Sequence, residues 1–350
     1  MQELIITKEL SGGRLDKMIL KYLDMAPKSF VYKMLRKKNI ELNGKKAGGN
    51  EILKEGDSIR FFLSDETIQK FQSSGTEDRS KRLESLGVNA SGNEVETIWK
   101  ISSMIVYEDD QIIALNKPAG LLSQKAKPED ISLNELIADH LRTQATDYPE
   151  PKLFTPGISN RLDRNTSGLV LAGKNPAASR ELNSAIRERR LKKFYLCLVK
   201  GIVRSPETVD GFLLKDMKTN QVRIFRSLEN PENQADFEKN AARIQTAYEP
   251  VCCSEELTLL KVDLITGKSH QIRAHLASIG HPIIGDSKYG DAALNKAFQK
   301  TDGLKRQLLH AEQIQFTEMK GILEYLNGKF LKAPLPEDFE RICSQLNISC

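Results

Sequence analysis

Cysteine is scarce: the five in 350 residues, at 197, 252, 253, 343 and 350, are odd in number and never spaced Cys-x-x-Cys. That argues against a disulfide framework and a cysteine zinc site, and points to a reducing compartment, the cytoplasm. Long apolar runs are also missing. None approaches the ~18 residues of a membrane span, and the opening Met1-Gln2-Glu3-Leu4 lacks an export-signal profile. A soluble, unexported chain is expected, with no membrane partner and with length enough for two domains. Excess charge is confined. Residues 1–63 hold 13 Lys/Arg against 8 Asp/Glu and the whole chain 52 against 47, so residues 64–350 are balanced. A polyanion is attracted to the first 63 residues.

That basic segment reads as a small module. Residues 14–23 and 28–37 have helical periodicity, the second with Phe30, Val31, Met34 and Leu35 on one face. Ile40 and Leu42 alternate into Asn43-Gly44, a hairpin signal, and residues 59–63 form a further strand. Residues 64–100 are poor in apolar side chains and rich in Ser, Asn, Gly and mixed charge, as expected of a linker. From residue 101 to 350 strands and helices are interspersed without regular βαβ alternation. This predicts an α+β fold with a mixed, mainly antiparallel sheet and flanking helices.

Residues 159–174 read S-N-R-L-D-R-N-T-S-G-L-V-L-A-G-K. Arg161 and Asp163 flank Leu162, so an extended chain projects the charged pair to one face, at a strand end. Residues 165–168 make a turn, and Leu169, Val170 and Leu171 a short buried strand. On the residues alone, Asp163 either caps that turn or is a functional carboxylate. Two tempting motifs fail. Gly267-Lys268-Ser269 has Val262 where a phosphate loop needs its first glycine, and His270 and His275 lack the spacing and glutamate of a helical zinc site.

The run at 161–169 resembles the signature of the ribosomal large-subunit pseudouridine synthase family, whose nucleophilic aspartate falls on Asp163. The Lys117-Pro-Ala-Gly120 loop, the run at 192–201 and the long run from Thr266 to Gly290 resemble that family too. The resemblance implies Asp163, Tyr195 and Arg273 as the catalytic set: a carboxylate, an aromatic ring that stacks on an extruded uracil, and a cation that keeps the carboxylate negative. On pattern alone Tyr195 can also be read as a core aromatic. The resemblance further implies Arg161, Asn160, Thr166, Ser167, Gly168, His270 and Gln271 as substrate-binding. Asn160 stands where the family usually has His, which removes any role needing imidazole charge.

Residues 1–63 resemble the small RNA-binding domain of a small-subunit ribosomal protein, the αL motif. Lys28, Lys33, Arg36, Lys37, Lys38 and Lys45 are its expected phosphate contacts. The implied activity is isomerisation of a specific uridine to pseudouridine in ribosomal RNA, or in transfer RNA, by a monomer. The reaction needs neither cofactor nor metal. Two other classes fit parts of the pattern. An inactive RNA-binding or ribosome-assembly protein would share the module, and a nucleoside hydrolase would use Asp163 but want a second carboxylate.

Overall fold

A computed structural model describes residues 2–8, 10–72, 99–127, 129–144, 154, 156–216, 221–225 and 240–348. The chain divides into two compact units: residues 1–103 with 137–157 and 173–180, and residues 104–136 with 158–172 and 181–350.

In the first unit, β1 (Gln2–Ile5), α1 (Leu15–Tyr22), α2 (Lys28–Arg36), β2 (Ile40–Leu42), β3 (Lys45–Lys46) and β4 (Ser58–Phe61) succeed one another. The sheet order is β1-β4-β2-β3. Asn43 and Gly44 both have positive φ, 53° and 73°, as the two-residue hairpin turn between β2 and β3 requires. Leu15, Ile19, Val31, Leu35, Ile40, Ile59 and Phe61 share one core. The expected linker starts too early at Ser64. That side chain accepts from the Thr67 backbone N–H and caps a short helix, α3 (Asp65–Lys70), whose Ile68 is buried in the same core. Residues 73–98 of the expected linker lie outside the described residues.

The second unit is built on a ten-stranded sheet. The elements that follow along the chain are β5 (Ile105–Glu108), β6 (Ile112–Lys117), α4 (Leu133–Gln144), β7 (Ser167–Gly173), α5 (Pro176–Arg187), β8 (Leu191–Lys200), β9 (Glu207–Asp216), β10 (Gln221–Phe225), β11 (Ala242–Cys253), β12 (Leu257–Asp263), α6 (Gln271–Ser278), α7 (Ala292–Asp302), β13 (Leu309–Phe316), β14 (Phe330–Lys332) and α8 (Glu337–Gln345), with most of α4 and the start of α5 counted in the first unit. The strand order is β10-β9-β11-β12-β8-β13-β7-β6-β5, with β14 on β13. The pairs from β10 through β13 are antiparallel, as are β5 with β6 and β13 with β14. β13 and β7 have a parallel register, His310 facing Ser167 and Ala311 facing Gly168. The α+β expectation therefore holds, with a mixed and mainly antiparallel sheet.

Every residue of β7 is buried. Its first turn depends on glycine: at Gly168, φ is +116° and a Cβ would sit 2.3 Å from the Ala311 carbonyl oxygen. The strand end expected at Arg161 and Asp163 is instead a loop and turn. Backbone pairing stops after Ser159, whose N–H donates to Leu171 O at 2.7 Å. The Asn160 amide then takes over the edge of β7, donating to Leu169 O at 3.0 Å and accepting from Leu171 N at 2.8 Å. With those backbone groups satisfied by a side chain, the chain is free to leave the sheet. The alternation survives without a strand: Leu162 is buried, Arg161 exposed and Asp163 half-buried.

Candidate active site

Asp163 lies on a cleft of about 790 Å³ in the second unit. Seven Lys and Arg side chains line it, and Asp163 is the single carboxylate among the lining residues. The loop that carries Asp163 is fixed from beneath. Lys117, at the end of β6, is fully buried, and its Nζ donates to Pro118 O, Leu121 O and Arg164 O at 2.8, 2.9 and 3.0 Å. Gly120 N also donates to Arg164 O at 2.9 Å, and Arg164 Nε returns to Gly120 O at 3.0 Å. The Lys-Pro-x-Gly loop thus acts as a clamp on the residue after Asp163. Burial pushes the Lys117 amine down to about 7, with the Asp163 charge opposing the shift.

Arg273 sits in the first turn of α6 and is buried. Its Nη1 donates to Asp163 Oδ2 at 2.7 Å, while Nε and Nη2 reach the two oxygens of Asp286 at 2.6 and 2.9 Å. Asp286 is itself held by the backbone N–H groups of Lys288, at 2.9 Å, and Tyr289, at 3.1 Å. Burial works against both charges of this pair. The two carboxylates nevertheless raise the Arg273 pKa above its ordinary value, and Arg273 draws that of Asp286 below its own.

His270 precedes α6 in the left-handed region, φ 56°. Its Nε2 is 3.9 Å from Asp163 Oδ2, and its Nδ1 is 3.0 Å from Tyr289 Oη. Burial lowers the His270 pKa, with Asp163 opposing and Arg273 adding, so the imidazole is neutral near pH 7. Tyr195 on β8 is buried and lines the cleft. Burial, reinforced by the Asp163 charge, moves its phenol pKa far up, so the hydroxyl keeps its proton. Lys193, two residues earlier, also lines the cleft, its amine pKa lowered by burial and partly restored by Asp263.

The expected substrate-binding residues separate into two groups. Arg161 is exposed on the cleft, its Nη1 3.5 Å from Gln124 Oε1, and His270 faces Asp163. The others form the frame. Asn160 is bound at both ends of its amide to β7. Thr166 Oγ1 accepts from Gln307 Nε2 at 3.1 Å, and Ser167 Oγ is 3.0 Å from His310 Nδ1, all four of these residues being buried. Gly168 permits the close approach to β13. Gln271 accepts from Thr266 Oγ1 at 2.9 Å and Lys268 N at 3.1 Å, and it donates to Gln245 O and Thr246 Oγ1, both at 3.0 Å. Polar side chains so fully matched hold the loops and have little capacity left for a ligand.

Sequence reasoning overlooked Asp286 and Tyr289. Both lie in the run from Thr266 to Gly290, but spacing does not reveal that they turn back on Arg273 and His270.

A family model described as RNA pseudouridylate synthase matches residues 111–278, which include Asp163, Tyr195 and Arg273. A ribosomal large subunit pseudouridine synthase C from Vibrio parahaemolyticus is 32% identical over 312 residues, 89% of this chain and 87% of that protein. The chain belongs to the RNA pseudouridylate synthase family. The synthase of the same name from Escherichia coli K12 is 30% identical over 344 residues, 97% of this chain and 95% of its own. The fold is shared with human RNA Pseudouridylate Synthase Domain Containing 4, at TM-score 0.56 and 20% identity, covering 71% of this chain and 95% of that one. Membership makes the chain an RNA-modifying isomerase. The matched span of this synthase ends before Asp286 and Tyr289.

Proposed function

We propose that this synthase isomerises a uridine of large-subunit ribosomal RNA to pseudouridine, with Asp163 as the reacting carboxylate. The observation that carries the reading is the asymmetric hold on that side chain. Oδ2 is taken by Arg273, while Oδ1 has no hydrogen-bond partner among the described residues and the side chain is 27% exposed on the cleft. A charged acid with one oxygen anchored and one free is suited to attack ribose C1′, or to take a sugar proton, as the bond to uracil N1 breaks. The electron pair leaves on the uracil, the ring turns, and C5 joins C1′. The proton lost from C5 balances the one gained at N1. Nothing is oxidised or reduced, and no cofactor is called for.

Tyr195 offers its ring to the extruded base, and the cationic walls attract the phosphates. Ribosomal RNA is supported as the substrate by the names of the relatives. Residues 1–63 are proposed as the αL-type RNA-binding domain and residues 101–350 as the catalytic domain of a cytoplasmic monomer. Asn160, the one departure that favoured an inactive protein, serves β7 as an asparagine can, so it supplies no argument against catalysis.

The test is Asp163→Asn on unmodified large-subunit ribosomal RNA transcripts, with pseudouridine mapped by carbodiimide and free uracil measured alongside. Abolished conversion with RNA binding retained is expected. Full turnover by the Asn variant would end the assignment, release of free uracil by the unaltered protein would favour a hydrolase, and conversion confined to transfer RNA would move the substrate.

A further inference from the structure

We infer that His270 is a catalytic hydrogen-bond donor to the departing uracil, and that Tyr289 is the positioning residue that fixes its tautomer. The inference rests on the proposed function and adds a leaving-group role to it.

The tautomer follows from one hydroxyl. Tyr289 Oη accepts from the backbone N–H of Val222 at 3.0 Å, and we assign its own proton to His270 Nδ1, the acceptor that lies 3.0 Å away. With Nδ1 accepting, a neutral imidazole carries its proton on Nε2. Nε2 points into the cleft, 3.9 Å from Asp163 Oδ2. That distance is too long for a hydrogen bond, so the donor is directed at the reacting carboxylate without being consumed by it.

A reacting C1′ about 3 Å from the free Oδ1 brings the atoms next to it, uracil N1 and O2, within reach of Nε2. Bond breaking sends negative charge to those same atoms, and a preformed donor there favours the transition state over the ground state. Arg273 has three of its five N–H groups committed, those on Nε and Nη2 to Asp286 and one on Nη1 to Asp163. The backbone supports the assignment independently. His270 is held at positive φ, a conformation that costs a non-glycine residue on the order of 1 kcal/mol, and its ring is packed edge-on to Tyr289 at 5.8 Å. His270 keeps its proton throughout, donating a hydrogen bond while the C1′–N1 pair moves onto the ring.

The experiment compares His270→Ala, His270→Gln and Tyr289→Phe with the unaltered protein in single turnover, using large-subunit ribosomal RNA transcripts carrying uridine, read as pseudouridine formed, or 5-fluorouridine, read as loss of the parent nucleoside because a C5 that bears fluorine has no proton to shed. Loss of the donor should slow uridine conversion about 10²-fold with RNA affinity little changed. Tyr289→Phe should cost about tenfold, the worth of one hydrogen bond. The glutamine variant, which restores an N–H, should recover most of the rate. Because fluorine stabilises the ring anion, the His270→Ala penalty should shrink on 5-fluorouridine. Equal penalties on the two RNAs, or a loss of affinity with the rate intact, would overturn the inference. If the unaltered protein converts no uridine, the proposed function falls; if it converts uridine and His270→Ala is as fast, this inference alone falls.

Discussion

Arg273 divides one guanidinium between two carboxylates, giving Nε and Nη2 to Asp286 and Nη1 to Asp163. The bidentate side fixes the plane of the fork, and the single contact fixes Oδ2 of Asp163, the acid proposed to react. An ammonium has no such plane. Arg273→Lys keeps the charge but cannot span both partners, and the expected result is a loss of single-turnover rate of about 10²-fold or more. Quench-flow conversion assays at saturating enzyme check this; a lysine variant within a few-fold of the parent would mean that charge alone suffices.

Asp286 should be the more fragile end of that pair for stability. Its side chain is fully buried and its partner nearly so, at 7% exposure. Asp286→Asn leaves Arg273 with the half-buried Asp163 as its counter-charge in place of two carboxylates. Breaking such a pair costs about 3–5 kcal/mol, a shift easily seen in urea unfolding. Stability equal to the parent would show that Asp163 alone can compensate the guanidinium.

Gly168 sets the distance between β7 and β13, and through it the height of the Asp163 loop. Alanine there combines a disfavoured φ with a Cβ 2.3–2.7 Å from the Ala311 backbone, where neither strand can yield. A destabilisation of about 3 kcal/mol or more is expected, with activity lost in parallel. Calorimetry of Gly168→Ala decides the matter, since an unchanged melting temperature would require the β7–β13 register to differ.

Much of this is legible from residue types because the chemistry restricts them. Asp163, Tyr195 and Arg273 are singled out by the family resemblance of their motifs, and the helices, the Asn43-Gly44 hairpin and the mixed sheet follow from periodicity and turn residues. Direction is not legible. Asn160, Thr166, Ser167 and Gln271 are small or flexible polar groups beside a site, and sequence cannot say whether such a group bonds a ligand or the neighbouring backbone; here the protein's own polar groups take them. Asp286 and Tyr289 escape notice because a partnership across a turn depends on tertiary geometry. The helix at Asp65–Lys70 reads as linker because a single buried Ile68 gives too little periodicity to detect.

Stability should fall in acid through His310. This residue is fully buried, its Nδ1 3.0 Å from Ser167 Oγ and its Nε2 3.2 Å from Ala333 O. Burial pushes its pKa down from the ordinary 6.5 to about 4, the Ala333 carbonyl opposing and Arg306 adding. The unfolded chain therefore binds more protons between those values. The contribution is complete above pH 6.5 and is lost as pH falls toward 4, at about 1.4 kcal/mol per unit. His310→Gln should flatten the pH dependence of urea unfolding between pH 6.5 and 4.5, and an unaltered slope would remove His310 as its source.

The basic face of the N-terminal unit makes the last test, and the structure changes how it is done. Lys28, Lys33, Arg36, Lys37, Lys38 and Lys45 are all exposed, and none pairs with a carboxylate among the described residues. If they bind phosphates, each contact removed should lower the slope of log affinity against log salt by about 0.7 for single-stranded RNA. Replacing Lys28, Lys33 and Arg36 by Gln should then reduce it by roughly 2 while conversion of saturating RNA persists. A truncation is informative only if it ends after residue 72, because a cut at 63 strands Ile68 and Phe71, which pack on the core being removed. Filter binding across a salt series, on the triple variant and on the longer truncation, settles it: an unchanged slope in both would place the phosphate contacts on the cleft walls and leave residues 1–63 without a role in RNA affinity.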